Sequence, residues 1–305
     1  RKNPNVENSM IDALYGMPRS LKDRGKPYKL VFKINKFIAV LLVPILARFN
    51  KKSGVDRESN VIISLTTYPA RINIVWVTIA TLLNQKVKPK RICLYLASEQ
   101  FPNKEKDLPA RLLKLKNRGL EILFCDDIKS HKKYYYAIKD NPENIIITAD
   151  DDMLYPESMT KELLEAHEKY PDTVICEYAH KITILENDEF EEYNKWSSYG
   201  EDTKPIMIIL PVGCGGVLYP PHVLDERIFD KEKIAELCPV TDDLWLKTME
   251  MLKGTKAAIC KKGSLIYFDM VGTRKSGLQH VNCGENQNNI SLKNTKYHLL
   301  SLNIT

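Results

Sequence analysis

The sequence predicts an α/β fold with a mostly parallel sheet flanked by helices. First, strand-like runs alternate with helically spaced segments from residue 61 to residue 148. Second, the strand-like runs are almost continuously apolar, as strands covered on both faces are. Third, 305 residues with 44% hydrophobic and 28% charged side chains can bury a full core, and 13 Gly and 16 Pro are too few for a collagenous or largely disordered chain.

The first fifth of the chain is basic, with Lys22, Arg24, Lys26, Lys29, Lys33, Lys36, Arg48, Lys51 and Lys52 carrying much of a net charge of +6. These cations flank the apolar run at 37–47, which Pro44 interrupts and which falls short of the ~20 residues of a spanning helix. Residues 1–57 therefore read as an N-terminal extension. Its segment 30–50 is expected either to associate with an anionic membrane surface or to pack as a hydrophobic helix on the rest of the protein. A basic cluster confined to one end is not the spread-out surface that nucleic acid requires, so no nucleic-acid partner is expected. No small-residue cleavage site follows the apolar run, so it does not read as a cleavable leader.

Val61 to Thr66 reads as the first strand and Thr67-Tyr68-Pro69-Ala70-Arg71 as the turn leaving it. A helix is expected over 72–84, a second strand from Arg91 to Leu96, a helix over 108–117 and a third strand from Leu120 to Phe124. A helix around Tyr134 to Lys139 and a strand from Asn144 to Thr148 follow. Ligands of such a sheet sit beyond the carboxyl ends of its strands. Residues 186–204 are polar, acidic and aromatic, and read as a loop or lid rather than core. The seven cysteines are odd in number and contain no C-x-x-C pair. They read as reduced thiols, which favours the cytoplasm, including the cytoplasmic face of a membrane.

The strongest chemical signal is the run from Asn144 through Asp150-Asp151-Asp152 to Pro156, a buried strand leading into three carboxylates. Like charges this close repel unless water or a cation intervenes. Extended geometry would put Asp150 and Asp152 on one face and turn Asp151 away. All-oxygen ligands suit Mg²⁺ or Mn²⁺; a solvated acidic turn or a helix start would use the same residues. A second pair, Asp242-Asp243 after Thr241, opens an amphipathic helix. It could supply a general base, and helix capping by Thr241 or Asp242 is the alternative. The glycines Gly213, Gly215 and Gly216 would admit a close-lying sugar or form a tight turn. Lys133, in a Lys-Lys-Tyr-Tyr-Tyr run, could meet a phosphate, and the tyrosines are expected to be partly core. His280 is an extra candidate metal ligand.

Together these residues resemble the GT-A glycosyltransferases of the family 2 type, particularly small bacterial enzymes that assemble capsular and lipopolysaccharide chains. The resemblance covers residues 58–285 and lies in the order of the motifs: a first-strand nucleotide loop, a Lys-bearing helix, an Asp-x-Asp, a Gly-rich segment and an acidic pair before a helix. It implies a GT-A-type, Rossmann-like domain over 58–285, followed by a tail at 286–305. It also implies inverting transfer of a sugar from a nucleoside diphosphate, UDP by family default, to a hydroxyl of a glycan or lipid-linked acceptor. By that likeness Thr66, Tyr68 and Arg71 line the nucleotide pocket, with Lys133 near the diphosphate or ribose. Asp150 to Asp152 contact ribose and metal. Counting back from Pro156 favours Asp151 and Asp152, whereas alternation favours Asp150 and Asp152, so all three remain candidates. Gly215 and Gly216 fall in the acceptor segment. Thr241-Asp242-Asp243 is similar to the Thr-Glu-Asp of processive members, which makes Asp243 the first choice of base and Asp242 the alternate.

The second strand lacks the family's terminal acidic residue, for which Glu99 could substitute. The Gln-x-x-Arg-Trp of processive enzymes is absent, so one sugar per acceptor is expected. A nucleotidyltransferase would place a Gly-rich basic loop after the first strand, and a phosphohydrolase would need more carboxylate and His ligands. A carbohydrate-binding scaffold would leave two acidic clusters unexplained.

Overall fold

Val61-Ile-Ile-Ser-Leu-Thr forms β1 (Val61–Thr66), buried over its first five residues. A strand with no solvated face needs neighbours on both edges, and β1 pairs in parallel with β2 (Arg91–Ala97) and β4 (Ile145–Thr148). Ile63 stands beside Ile92 on one edge and Ile147 on the other. The computed structural model describes residues 9–20, 25–186, 189–263, 267–270 and 286–301. Among these, a seven-stranded sheet has the order β11-β6-β10-β4-β1-β2-β3, with β3 (Leu120–Cys125), β6 (Val174–Cys176), β10 (Val217–Tyr219) and β11 (Ala257–Ile259). Strand β10 is antiparallel to β4 and β6, and the other neighbours are parallel. The expected mixed α/β architecture is therefore present.

The chain builds outward from β1 through β2 to β3, then returns to place β4 on the other side of β1. Such a reversal opens a crevice at the carboxyl ends of the two strands where the direction switches. Here that crevice lies between the β1 turn and the Asp150–Asp152 run. Helices α3 (Val75–Leu82), α4 (Ala110–Leu113) and α5 (Lys132–Asp140) provide the crossovers, and α6 (Met159–Lys169) follows the acidic run. Two smaller sheets complete the strands. One pairs β5 (Met153–Leu154) with β12 (Phe268–Asp269), and the other joins β7 (Ala179–Lys181) to β8 (Ser198–Tyr199) and β9 (Ile209–Pro211). Helix α8 (Asp242–Lys253) packs on β9, and α9 (Gln287–Ser301) packs on α8 and on α7 (Lys231–Leu237).

The described residues of 186–204 are mostly irregular, as expected of a loop, but two of their aromatic side chains belong to the core. Trp196 and Tyr199 are buried in a core cluster with Ile209 and Trp245, and β8 pairs with β7. The Trp196 indole N–H donates to the Glu191 carbonyl at 2.9 Å, so aromatic bulk within a polar stretch anchors it inside.

Upstream, the apolar run at 37–47 belongs to a longer helix than its sequence suggests. Helix α1 (Met10–Ser20) is followed by α2 (Lys26–Phe49), 24 residues that continue through Pro44. Proline removes one backbone donor, but Ala39, Val43 and Ala47 form a close-packed stripe at four-residue spacing that holds the helix down. Asn35 adds a bond from its amide to the Leu14 carbonyl at 2.8 Å. Helices α1 and α2 thus share the main core with β1 and α3. The linker beyond α2 presses on α3 at Gly54, where an added Cβ would lie 2.5 Å from the Leu83 carbonyl oxygen. Backbone cannot yield as a side chain can, so Gly54→Ala is expected to destabilise the protein by about 1–3 kcal/mol, read as a lower urea midpoint at unchanged slope.

Candidate active site at the sheet switch point

The β1 turn supplies the first half of the site. Tyr68 to Arg71 closes through a bond from the Arg71 amide to the Tyr68 carbonyl at 3.0 Å, which carries the guanidinium over the crevice. Arg71 pairs with Asp151 and, at 3.0 Å, with Asp152, and its guanidinium carbon lies 5.7 Å from the centre of the Tyr68 ring. Thr67 donates its hydroxyl to the other Asp151 oxygen at 2.5 Å, and Thr78 donates to the Asp151 carbonyl at 3.0 Å. Thr66, the expected pocket residue, instead donates to the Tyr95 carbonyl at 2.8 Å. Thr67 is thus the threonine that meets the carboxylates.

Strand pairing of β4 ends at Thr148 and the chain turns at Asp151 and Asp152, so strand alternation lapses where the acids begin. Asp151, which alternation would turn away, is the most buried of the three, its side chain 7% exposed against 16% for Asp152 and 33% for Asp150. Asp150 faces the opposite cation: the Lys133 ammonium on α5 lies 2.8 Å from it. Its backbone amide donates to the Tyr155 hydroxyl at 2.8 Å.

Lys133 also reaches Asp242 at 2.7 Å, joining the β4 acids to the start of α8. Asp242 is therefore an ion-pair partner of Lys133, and Thr241 makes no side-chain capping bond. The neighbouring Asp243 accepts the Gly213 amide N–H at 3.2 Å. A Cβ on Gly213 would lie 2.8 Å from the Lys133 ammonium, 3.1 Å from an Asp150 oxygen and 3.2 Å from an Asp243 oxygen. Only a glycine allows the three side chains to converge on this backbone. Gly215 and Gly216 are placed differently: they are buried against Tyr178 and Met159, where their small size serves packing. Of the three glycines of this segment, Gly213 is the one whose backbone meets the Lys133, Asp150 and Asp243 side chains. His280 lies outside the described residues.

Charge and burial separate the two acids of α8. Burial disfavours the Asp242 carboxylate, but Lys133 beside it prevails and holds its pKa below the usual value. Asp243 is pushed up to about 8 by burial, then by the Asp242 and Asp150 charges, against the pull of Lys133 and the Gly213 amide. The three carboxylates raise Lys133 well above an ordinary lysine despite its burial. Burial likewise lowers Arg71, but Asp151 and Asp152 outweigh it. Behind Lys133, burial takes His131 down to about 4, so it is neutral. Its Nε2 donates to the Cys238 carbonyl at 2.6 Å, leaving Nδ1 to accept from the Tyr134 hydroxyl at 2.9 Å. Tyr134 and Tyr135 are core, as expected of the tyrosine run, and Tyr136 is half-buried.

No protein-family model and no curated protein matches the sequence. Among solved structures the chain aligns with TarS 1–349 of S. aureus at TM-score 0.39 and 13% identity, covering 69% of this chain and 59% of that one. It aligns with the mannosyltransferase PcManGT of Pyrobaculum calidifontis, in complex with GDP-Man and Mn²⁺, at TM-score 0.42 and 12% identity, covering 86% and 70%. It aligns with a CMP:2-keto-3-deoxy-manno-octonic acid synthetase bound to CTP at TM-score 0.37 and 9% identity, covering 74% and 98%. Likeness at this level does not decide what the site does.

Removing Arg71 would leave Asp151 buried beside Asp152 without its cation. Arg71→Ala is expected to cost about 3–5 kcal/mol in urea unfolding, far more than a surface arginine replaced in the same way.

Proposed function

We propose that the protein is an inverting glycosyltransferase of the GT-A type that moves a sugar from a nucleoside diphosphate to an acceptor hydroxyl. One observation carries the reading. A second carboxylate, Asp243, with a raised proton affinity, stands across Gly213 and Lys133 from the Asp150–Asp152 cluster. Diphosphate chemistry needs cations at one place, and deprotonation of a hydroxyl needs a base at another. The crevice offers both, Arg71 and Lys133 on its two halves and Asp243 beside Lys133.

In this reading the β1 turn and α5 hold the donor. Tyr68 and Arg71 flank the nucleotide, with Thr67 and Asp151 fixing the arginine. Lys133 orients the diphosphate. Asp150 and Asp152 present only carboxylate oxygens, a donor set that suits Mg²⁺ or Mn²⁺ and would hold either. A divalent ion held there would supply charge neutralisation for the departing diphosphate. Asp242 keeps Lys133 charged and in place, which assigns the base to its neighbour. With Asp243 Oδ2 engaged by the Gly213 amide, Oδ1 takes the proton of the acceptor hydroxyl. The acceptor oxygen then attacks the anomeric carbon from the face opposite the leaving diphosphate, so configuration inverts. UDP is the default donor nucleotide, and a glycan or lipid-linked saccharide of a surface polysaccharide is the acceptor class. The chemistry belongs on the cytoplasmic side, where nucleotide sugars are the donors.

Calorimetric titration of UDP and of GDP with Mn²⁺ is expected to show binding that EDTA removes and Asp152→Ala loses. If neither nucleotide binds under any metal condition, the donor-site reading fails and acceptor-independent phosphate release becomes the activity to assay. Asp243→Asn is expected to leave nucleotide affinity within about twofold while lowering transfer by about 10²–10⁴-fold. The base form of Asp243 exists above its pKa and is lost as pH falls through it. Transfer measured as kcat/KM is therefore expected to rise with pH toward a midpoint no higher than about 8, since a cation on Asp150 offsets one of the charges that raise it. A flat profile through this range would remove Asp243 from the role of base.

A further inference from the structure

Helix α2 carries an apolar surface that the donor and base sites do not use. Leu30, Ile34, Phe37, Leu41 and Ile45 recur at three- and four-residue spacing and are 61%, 48%, 64%, 52% and 49% exposed. They form one ridge along the helix, opposite the Asn35, Ala39, Val43 and Ala47 stripe that packs on the domain. The helix contains Lys26, Lys29, Lys33, Lys36 and Arg48 and no acidic residue, and Lys51 and Lys52 follow it. An exposed apolar ridge of several turns marks a contact surface. Cations at its ends and flank specify the sign of what it meets.

We propose that α2 lies in the plane of an anionic bilayer surface, its ridge at the level of the acyl chains and its lysines among the headgroups. Three alternatives fit the helix less well. A spanning helix would have to release the buried stripe, the bond from Asn35 to the Leu14 carbonyl and the Lys36–Asp269 ion pair at 2.6 Å. A second copy packed ridge to ridge would bring like-charged lysines together with no acid on the helix to offset them. A partner helix of neutral polarity would leave the cations without a role. A bilayer of mixed neutral and anionic lipid meets both features at once, through burial of apolar area and electrostatic attraction. The inference does not depend on the glycosyltransferase reading, because no residue of the donor or base site enters it.

The test is co-sedimentation of the full chain with vesicles of phosphatidylcholine alone and with about 30% phosphatidylglycerol, an anionic fraction that gives the surface a negative potential. Binding is expected with the anionic vesicles, weaker with the neutral ones and reduced as salt is raised from about 0.1 M to about 0.5 M, where the Debye length is roughly halved. Phe37→Glu combined with Leu41→Glu is expected to lower partitioning by about a hundredfold, and Lys26→Glu with Lys33→Glu to abolish the preference for anionic lipid. All four side chains sit on exposed positions and none belongs to the donor or base site, so thermal stability and nucleotide binding should be unchanged in both variants. Vesicle binding by wild type that both variants retain overturns the proposal. So does failure to sediment with any vesicle, and a dimer that light scattering detects in wild type and that Phe37→Glu/Leu41→Glu converts to monomer would then assign the ridge to a second copy. Resistance of the bound protein to alkaline carbonate extraction would overturn the in-plane arrangement in favour of a spanning one.

Discussion

Lys133 is the cation on which the site depends. Carboxylates from β4 and from the start of α8 come from chain segments almost a hundred residues apart, and bringing them together in a partly desolvated crevice is unfavourable unless a positive charge lies between them. The ammonium at 2.8 Å from Asp150 and 2.7 Å from Asp242 meets that condition. Its backbone is fixed in turn, since the Ser64 hydroxyl of β1 donates to the Lys133 carbonyl at 2.5 Å. The central strand therefore positions the cation, the cation positions Asp242, and Asp242 leaves Asp243 as the carboxylate with the raised proton affinity. Arg71 performs the corresponding task for Asp151 and Asp152. Each cation stands on a separate element, so either half of the crevice keeps its own charge balance.

The elements were legible where pattern and environment agree. A continuous apolar run bounded by a polar stretch and a Pro-containing turn defines β1 at the observed bounds, because a strand buried on both faces leaves no room for polar residues. Helix α2 was less legible. Pro44 reads as a break, and only the small side chains at 39, 43 and 47 reveal a face packed closely enough to hold the helix through it. The buried Trp196 and Tyr199 were hidden for the opposite reason, since the acidic residues around them dominate the local composition.

Within the site, residue types were readable and partners were not. Three consecutive acids announce a charged cluster, but which of them turns inward depends on where strand pairing stops, and that is decided by β1 and β10 rather than by the acids. The choice of Thr67 over Thr66 has the same origin. Thr66 ends β1 and bonds back to β2 while Thr67 begins the turn, and the location of Asp151 determines which hydroxyl meets a carboxylate. Gly213 rather than Gly215 or Gly216 approaches the cluster because Lys133 and Asp243 arrive there from other elements. The ion pair between Lys133 and Asp242 has no local signature at all.

The N-terminal helices and the acidic turn are braced by shared contacts. The Tyr15 hydroxyl on α1 donates to the Leu154 carbonyl at 2.5 Å and accepts the Phe268 amide at 2.7 Å, so it clamps β5 to β12 just beyond Asp152. The Met270 amide donates to the Asp152 carbonyl at 2.7 Å on the same short sheet. Helix α2 packs on α3, whose Thr78 holds the Asp151 backbone. Among the described residues, the surface proposed to meet a bilayer is thus packed directly on the elements that fix the carboxylates. If α2 lies on a bilayer and the acceptor is lipid-linked, as proposed, this packing would hold the crevice at a fixed height above the surface that carries the acceptor's lipid end.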